Sequence, residues 1–243
     1  MQRDLIIYVD KEKIIGTVHV PLYEKSDKCI VMCHGLLASR MSPKAVLLST
    51  LLEKAGYYSL RFDFRGCGSS DGLLQDSVPS KRMDDLSSVL DHMEQQFDIR
   101  KIGLFGSSLG AYLSLLRAGT DPRVKVIVSV SSPHSMAELL EDEYLETGTC
   151  EIDGIGFGMN FLEDSRRWDM KMDKALSRIH CPVLFVQGSG DPLVPPLHAK
   201  KLYDHVQSEK RLEIIQGADH SYSCEEHLLK LVNMSAEWLN RYL

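Results

Sequence analysis

The chain has 243 residues, of which 44% are hydrophobic, 26% charged and 7% aromatic. That is the balance of a globular protein, and a chain this long buries roughly 70 to 75% of its unfolded surface without needing a disulfide or a metal. Collagen-like, disordered and disulfide-scaffold classes are excluded, and one domain of residues 1–243 is expected. The 28 Lys and Arg against 34 Asp and Glu leave a net charge of −6, which repels phosphate backbones and anionic lipid surfaces, so no nucleic-acid partner is expected. The first apolar run, Leu5 to Val9, is too short and too closely followed by charge for a signal peptide, and no run approaches a membrane span. A cytoplasmic protein without membrane insertion is expected. The oligomeric state is left open.

Taken in order, Leu5 to Val9 and Lys13 to Val20 read as two strands around a charged turn. Short runs rich in Val, Ile and Leu follow at Lys28 to Cys33, Tyr57 to Phe62, Lys101 to Phe105, Val124 to Val130, Pro182 to Gln187 and Arg211 to Ile215, the pattern of strands covered on both faces. Helices are expected between them at Pro43 to Lys54, Ser80 to Gln96, Leu109 to Ala118, Pro196 to Val206 and Cys224 to Tyr242. Strands alternating with helices predict an α/β fold with a mostly parallel sheet and helices on both sides. The last helix carries Leu228, Leu229, Val232, Ala236 and Leu239 at helical spacing, read as the face that packs on the sheet.

The rhythm breaks between Ser132 and about His180, where acidic Glu138 to Glu143 and Gly-rich Asp153 to Gly158 replace any convincing buried strand. A long structureless loop inside a compact domain is improbable, so a small inserted cap at 132–180 is expected. Its Ile152, Ile155, Phe157, Met159, Phe161 and Trp168 could wall an apolar pocket or simply form the cap's own core.

The six cysteines, Cys29, Cys33, Cys67, Cys150, Cys181 and Cys224, show neither a CxxC pair nor zinc-ligand spacing and are expected as free, mostly buried thiols. His198 and His205 lie on one expected helix, but no third ligand is evident near them in sequence, so neither metal nor cofactor is expected.

The most informative segment is Gly106-Ser107-Ser108-Leu109-Gly110 between a strand and an apolar helix. In that setting G-x-S-x-G is a sharp turn that lifts the central hydroxyl clear of the backbone, making Ser108 the expected nucleophile and the neighbouring Ser107 a turn residue. A serine needs a base and a carboxylate to orient that base. Asp191 follows the strand ending at Gln187, and His220 follows the strand ending at Ile215, both at carboxyl ends of strands, where open α/β sheets build their sites. Asp219 is a rival acid, but as the residue before the histidine it is poorly placed to reach the far imidazole nitrogen. For the oxyanion, donors are expected from the backbone N–H of Leu109 and of Leu36 in the loop His34-Gly35-Leu36. His34 itself is read as shaping that loop.

Five stretches, His34 to Leu36, Arg61 to Gly72, Gly106 to Gly110, Gly188 to Pro195 and Gly217 to His220, resemble the α/β-hydrolase superfamily over nearly the whole chain. Within it the sequence resembles single-domain carboxylesterases of the cinnamoyl (feruloyl) esterase and monoacylglycerol-lipase-like group. The resemblance implies an eight-stranded, mostly parallel sheet with a small cap after the sixth strand, and makes Arg61 to Gly72 a structural loop. It departs at Ser107, where many relatives carry His or a larger residue, and at Leu36-Leu37, where some lipases carry HGGG. The expected activity is a serine hydrolase that cleaves carboxylic esters of small to medium acyl or aromatic acids through an acyl-enzyme, with a small-molecule ester as its partner. The same triad also suits a thioesterase, an amidase or peptidase, or an acyltransferase; a non-catalytic ligand-binding protein of this fold is the remaining alternative.

Overall fold

The computed structural model describes residues 1–21, 26–152 and 154–243. Eight strands form one sheet: β1 (Gln2–Val9), β2 (Glu12–His19), β3 (Lys28–Cys33), β4 (Tyr58–Phe62), β5 (Lys101–Ser107), β6 (Val124–Val130), β9 (Val183–Gly188) and β10 (Lys210–Ile215). Their spatial order is β1-β2-β4-β3-β5-β6-β9-β10. The pairings β1/β2 and β2/β4 are antiparallel and the rest are parallel. The expected strands lie within two residues of these, except that β1 begins at Gln2, three residues before the expected Leu5.

The parallel strands are connected by helices α1 (Pro43–Lys54), α2 (Pro79–Phe97), α3 (Leu109–Ala118) and α6 (Pro196–His205), and α7 (Glu225–Tyr242) closes the chain. Three of them, α1, α2 and α6, begin with proline at the first turn, where the missing N–H costs nothing and the fixed φ suits a helix. Strand β3 shows how the sheet divides two cores: Cys29, Val31 and Cys33 join one cluster with α2 and α3, while Ile30 and Met32 join the other with α1 and α7. This alternation is the period-2 consequence of a pleated strand covered on both faces. Each large apolar side chain so buried contributes roughly 1.5 to 3 kcal/mol.

One detail differs from the sequence expectation, and one refines it. On α7 the buried face includes Leu231, Val232, Ala236, Trp238 and Leu239, with Leu228 packed against it, while Leu229 is 44% exposed. Cys224 is exposed just before α7, unlike the other five free cysteines, which are buried.

Between β6 and β9 the chain leaves the sheet and forms α4 (Met136–Thr147), a hairpin of β7 (Cys150–Ile152) and β8 (Ile155–Phe157), and α5 (Met159–Leu176). Phe157 and Phe161 are buried in the α2/α3 cluster, with Ile152, Ile155 and Trp168 packed against it, whereas Met159 is 40% exposed. These side chains therefore serve mainly as core. Two carboxylates fasten α5 to the helices below. Asp164 accepts from the Ser80 N–H and hydroxyl at the start of α2, both 2.7 Å. Asp169 accepts from the buried Tyr112 hydroxyl of α3 (2.7 Å), the Ser135 hydroxyl (2.8 Å), and the N–H groups of Met136 (3.0 Å) and Ala137 (2.9 Å). One side chain thus caps the N-terminus of α4 and anchors it to α3, a charged acceptor at the positive end of a helix. Among the described residues no helix is long and apolar enough to cross a membrane.

Candidate active site

Strand β5 ends at Ser107 and α3 begins at Leu109, which leaves Ser108 in the turn with φ 54° and ψ −125°. A side chain at positive φ is strained, and such strain persists only where surrounding contacts enforce it. Here the Ser108 N–H donates to the Val130 carbonyl at 2.8 Å, and its carbonyl accepts from Ala111 (2.9 Å) and Tyr112 (3.0 Å). Ser131 (φ 47°) and Tyr222 (φ 58°) carry the same kind of strain in the turns after β6 and β10.

Two glycines bring the loop after β3 against this turn. A Cβ on Gly110 would stand 2.1 Å from the Cys33 carbonyl oxygen and 2.5 Å from that of His34, so only glycine lets α3 begin on that backbone. A Cβ on Gly35 would lie 3.3 Å from Ser108 Cβ, which places the backbone that carries Leu36 beside the serine. Leu109 is the first residue of α3, so its N–H has no acceptor inside the helix. Among the described residues the Leu36 N–H also has no hydrogen-bond acceptor.

The loop is held from below. His34 is buried; its Nδ1–H donates to the Gly35 carbonyl at 2.7 Å and its Nε2 accepts from the Phe64 N–H at 3.0 Å. Burial, helped by the Arg82 charge, pushes this imidazole down to about 3 against the pull of the Gly35 carbonyl, so it stays neutral. Arg82 of α2 is fully buried and donates to the carbonyls of Gly35 (3.2 Å) and Leu36 (2.9 Å). The Arg61 to Gly72 segment packs around them: Asp63 accepts from the N–H groups of Arg40 (2.6 Å) and Ser69 (3.0 Å), and Arg65 Nε donates to Asp85 at 2.5 Å.

Asp191 and His220 come together across the loops after β9 and β10. His220 Nδ1 donates to Asp191 Oδ2 at 2.7 Å. Asp191 Oδ1 accepts from the N–H groups of Leu193 and Val194, both 2.9 Å, and Gln187 Nε2 donates to Oδ2 at 3.1 Å. Burial alone would raise the Asp191 carboxyl, but the hydrogen bonds from His220 and Val194, the His220 charge and Leu193 together hold it below the usual carboxylate range. The rival Asp219 instead accepts from the Ser223 N–H at 2.9 Å.

Three side chains here escape sequence reasoning. Arg82 was legible in principle, because it stands four residues before Leu86 and eleven before Met93 on the buried stripe of α2, where a charge demands partners. Gln187 is the polar end of an apolar strand. Lys44, in the first turn of α1, gave no signal; its Nζ donates to the Ser107 hydroxyl at 3.0 Å and lies 5.4 Å from the centre of the Tyr222 ring. Burial pushes the Lys44 ammonium down to about 8, with Asp191 and Asp219 pulling it back up. Ser107 is thus buried and engaged away from the apex of the turn. The histidine pair considered from sequence is also revised: His205 converges with His134 and Asp173, while His198 is not a member of that group.

The fold and the site define a class. The family described as alpha/beta hydrolase fold matches residues 28–147, and the one described as serine aminopeptidase, S33 matches residues 154–227. The chain belongs to the α/β-hydrolase superfamily, and these matches support a serine hydrolase in the general sense. It is 27% identical to an uncharacterized 31.7 kDa protein in the traX-finO intergenic region of Escherichia coli, over 96% of this chain and 97% of that protein. It is 28% identical to the lysophosphatidylserine lipase ABHD12 of Danio rerio, over 78% of this chain and 50% of that protein. Est1E from Butyrivibrio proteoclasticus, solved with ferulic acid bound, shares the fold at a TM-score of 0.81 and 20% identity, covering 97% of this chain and 99% of that one.

Proposed function

We propose that the protein cleaves carboxylic esters through an acyl-enzyme, with Ser108 as nucleophile, His220 as general base and acid, and Asp191 as the residue that orients the imidazole. The observation that carries this reading is the 2.7 Å hydrogen bond from His220 Nδ1 to Asp191. It commits Nδ1 as donor and leaves Nε2 as the basic nitrogen, the tautomer a serine nucleophile needs. Ser108 Oγ attacks the ester carbonyl while His220 Nε2 takes its proton, and Asp191 stabilises the imidazolium that forms. The N–H groups of Leu36 and Leu109 receive the oxyanion. The tetrahedral intermediate then expels the alcohol, which leaves with the proton from His220. A water, deprotonated by the same nitrogen, cleaves the acyl-enzyme and restores Ser108.

Arg82 and His34 act on this chemistry through the loop they hold: with the Gly35 and Leu36 carbonyls committed to Arg82, the intervening peptide cannot rotate its donor away without losing those bonds. The segment 132–180 is read as a cap over this edge. Esters of small to medium acyl or aromatic acids are the proposed substrates; the ferulic acid in Est1E supports an aromatic acid, and the lipase name of the Danio rerio relative supports ester cleavage in general.

Hydrolysis of p-nitrophenyl esters from acetate to palmitate, measured for the wild type and Ser108→Ala, tests the reading. A loss of at least about a thousandfold in kcat/KM with an unchanged Tm is expected. A variant as active as the wild type would remove Ser108 from the mechanism. A wild type inert on every ester would move the reading to thioesters, amides or acyl transfer.

A further inference from the structure

A second constellation stands apart from Ser108, Asp191 and His220. His134 lies just past β6 where the chain enters the cap, Asp173 lies in the last turn of α5, and His205 is the last residue of α6. Each offers one ligand atom, and the three atoms lie within 4.8 Å of one another. Asp173 Oδ1 is 2.8 Å from His134 Nε2 and 3.6 Å from His205 Nε2. The two imidazole rings are 5.5 Å apart and tilted by 34°. Ligand atoms about 2.0 to 2.2 Å from a tetrahedral Zn²⁺ stand roughly 3.3 to 3.6 Å from one another, so small side-chain rotations bring this set onto one ion.

A plain His–Asp hydrogen bond accounts for His134 and Asp173 but not for the third member. His205 Nδ1–H donates to the Lys201 carbonyl at 2.8 Å, which leaves Nε2 with its lone pair bare on the side of the same carboxylate oxygen. A ligand histidine tied through its other nitrogen to a backbone carbonyl is the usual arrangement around a bound metal. The backbone at His134 is fixed as well, its main-chain N–H donating to His198 Nδ1 at 3.2 Å. The neighbouring cation, Lys201, is drawn onto Glu138 at 3.0 and 3.2 Å, which lowers its repulsion of an incoming ion. With Asp173 and His205 well exposed, an ion can enter from solvent.

We propose that His134, Asp173 and His205 form a divalent transition-metal site of the Zn²⁺ type that ties the cap to α6. Two imidazoles and one carboxylate suit Zn²⁺, Co²⁺ or Ni²⁺ and not Mg²⁺ or Ca²⁺, which favour all-oxygen shells. The ion bridges the entry to the cap, α5 and α6, so its effect is on the attachment of the cap and not on the acyl chemistry.

The test is calorimetric titration of the full chain, stripped with EDTA and dialysed, with ZnCl₂ alone. One site per chain with Kd on the order of 1 to 10 μM is expected, with Tm rising by about 5 to 10 °C at a hundredfold excess over Kd. His205→Ala, at an exposed helix end, should fold normally, weaken binding at least about tenfold and abolish the Tm rise, and Asp173→Asn should do the same. His180→Ala and Cys224→Ser, which remove an exposed histidine and the exposed thiol, should leave both readouts unchanged. Co²⁺ bound in place of Zn²⁺ should show the intense visible absorption of a four-coordinate ion in the wild type and lose it in His205→Ala. Absence of saturable Zn²⁺ binding below about 100 μM, or equal binding in His205→Ala, would overturn the proposal.

Discussion

The carboxyl edge of the sheet and the segment inserted between β6 and β9 rest on different balances of backbone and side-chain contact. At the edge, backbone carries much of the position: Ser108 sits at a φ of 54°, Gly110 lies on the Cys33 and His34 carbonyls, and Asp191 is gripped by two peptide N–H groups, with the Arg82 side chain holding the loop after β3 from below. In the inserted segment, position is set by side chains reaching across elements, chiefly Asp164 and Asp169 of α5. Main-chain contacts between packed strands and turns have few alternatives, whereas a side-chain anchor can be moved or lost without refolding what lies beneath it.

The largest expected effect probes the carboxyl edge. Asp191→Asn keeps the size of the side chain but removes its charge and its power to hold the His220 tautomer, and kcat should fall by about 10³ to 10⁴ with Tm little changed. Steady-state ester hydrolysis measures this, and a fall of less than tenfold would remove Asp191 from its proposed role. On the other side, Asp169→Ala leaves the buried Tyr112 hydroxyl and the first N–H groups of α4 without their acceptor, at a cost of about 3 kcal/mol. Urea unfolding reads that loss. If the contrast between the two regions holds, labelling of Ser108 by a fluorophosphonate should proceed in the surviving folded protein; loss of labelling would show that the anchor also shapes the edge.

A smaller effect sharpens the account of the loop after β3. The folded His34 has its pKa near 3 against about 6.5 in the unfolded chain. Its contribution to stability is complete above pH 6.5 and is lost as the pH falls from there through about 3, because only the unfolded chain takes up the proton. Between pH 7 and pH 5 this one group removes about 2 kcal/mol from the unfolding free energy. In His34→Gln that difference should shrink by about the same amount, measured by urea unfolding at both pH values. Burial also lowers His19, His92 and His198, so a residual decline remains in the variant. An unchanged difference would mean that His34 is not held neutral.

Much of the architecture could be read from the chain because its signals are local. Strand β3 alternates its side chains between two cores, proline opens three helices, and G-x-S-x-G lies between a strand and a helix within a few residues. The candidates Ser108, Asp191 and His220 stand out for the same reason, each following its own strand, and the structure joins His220 to Asp191. On α7 the expected Leu228, Val232, Ala236 and Leu239 face the core, and Leu229 does not, being 44% exposed. The inserted segment could be bounded but not resolved, since its two short strands and two helices are stabilised by contacts with α2 and α3 that no local pattern encodes.

The sequence by itself determined the α/β alternation, which depends on periodicity, and carried the resemblance to the superfamily and the candidates Ser108, Asp191 and His220 on motifs closed within a few positions. Tertiary structure alone decided that Arg82 grips the carbonyls of Gly35 and Leu36, that Lys44 reaches Ser107, and that His134, Asp173 and His205 meet. The physical reason is separation along the chain: these partners lie tens of residues apart, and only the packing of helices on the sheet brings them within reach of a hydrogen bond or a shared ion.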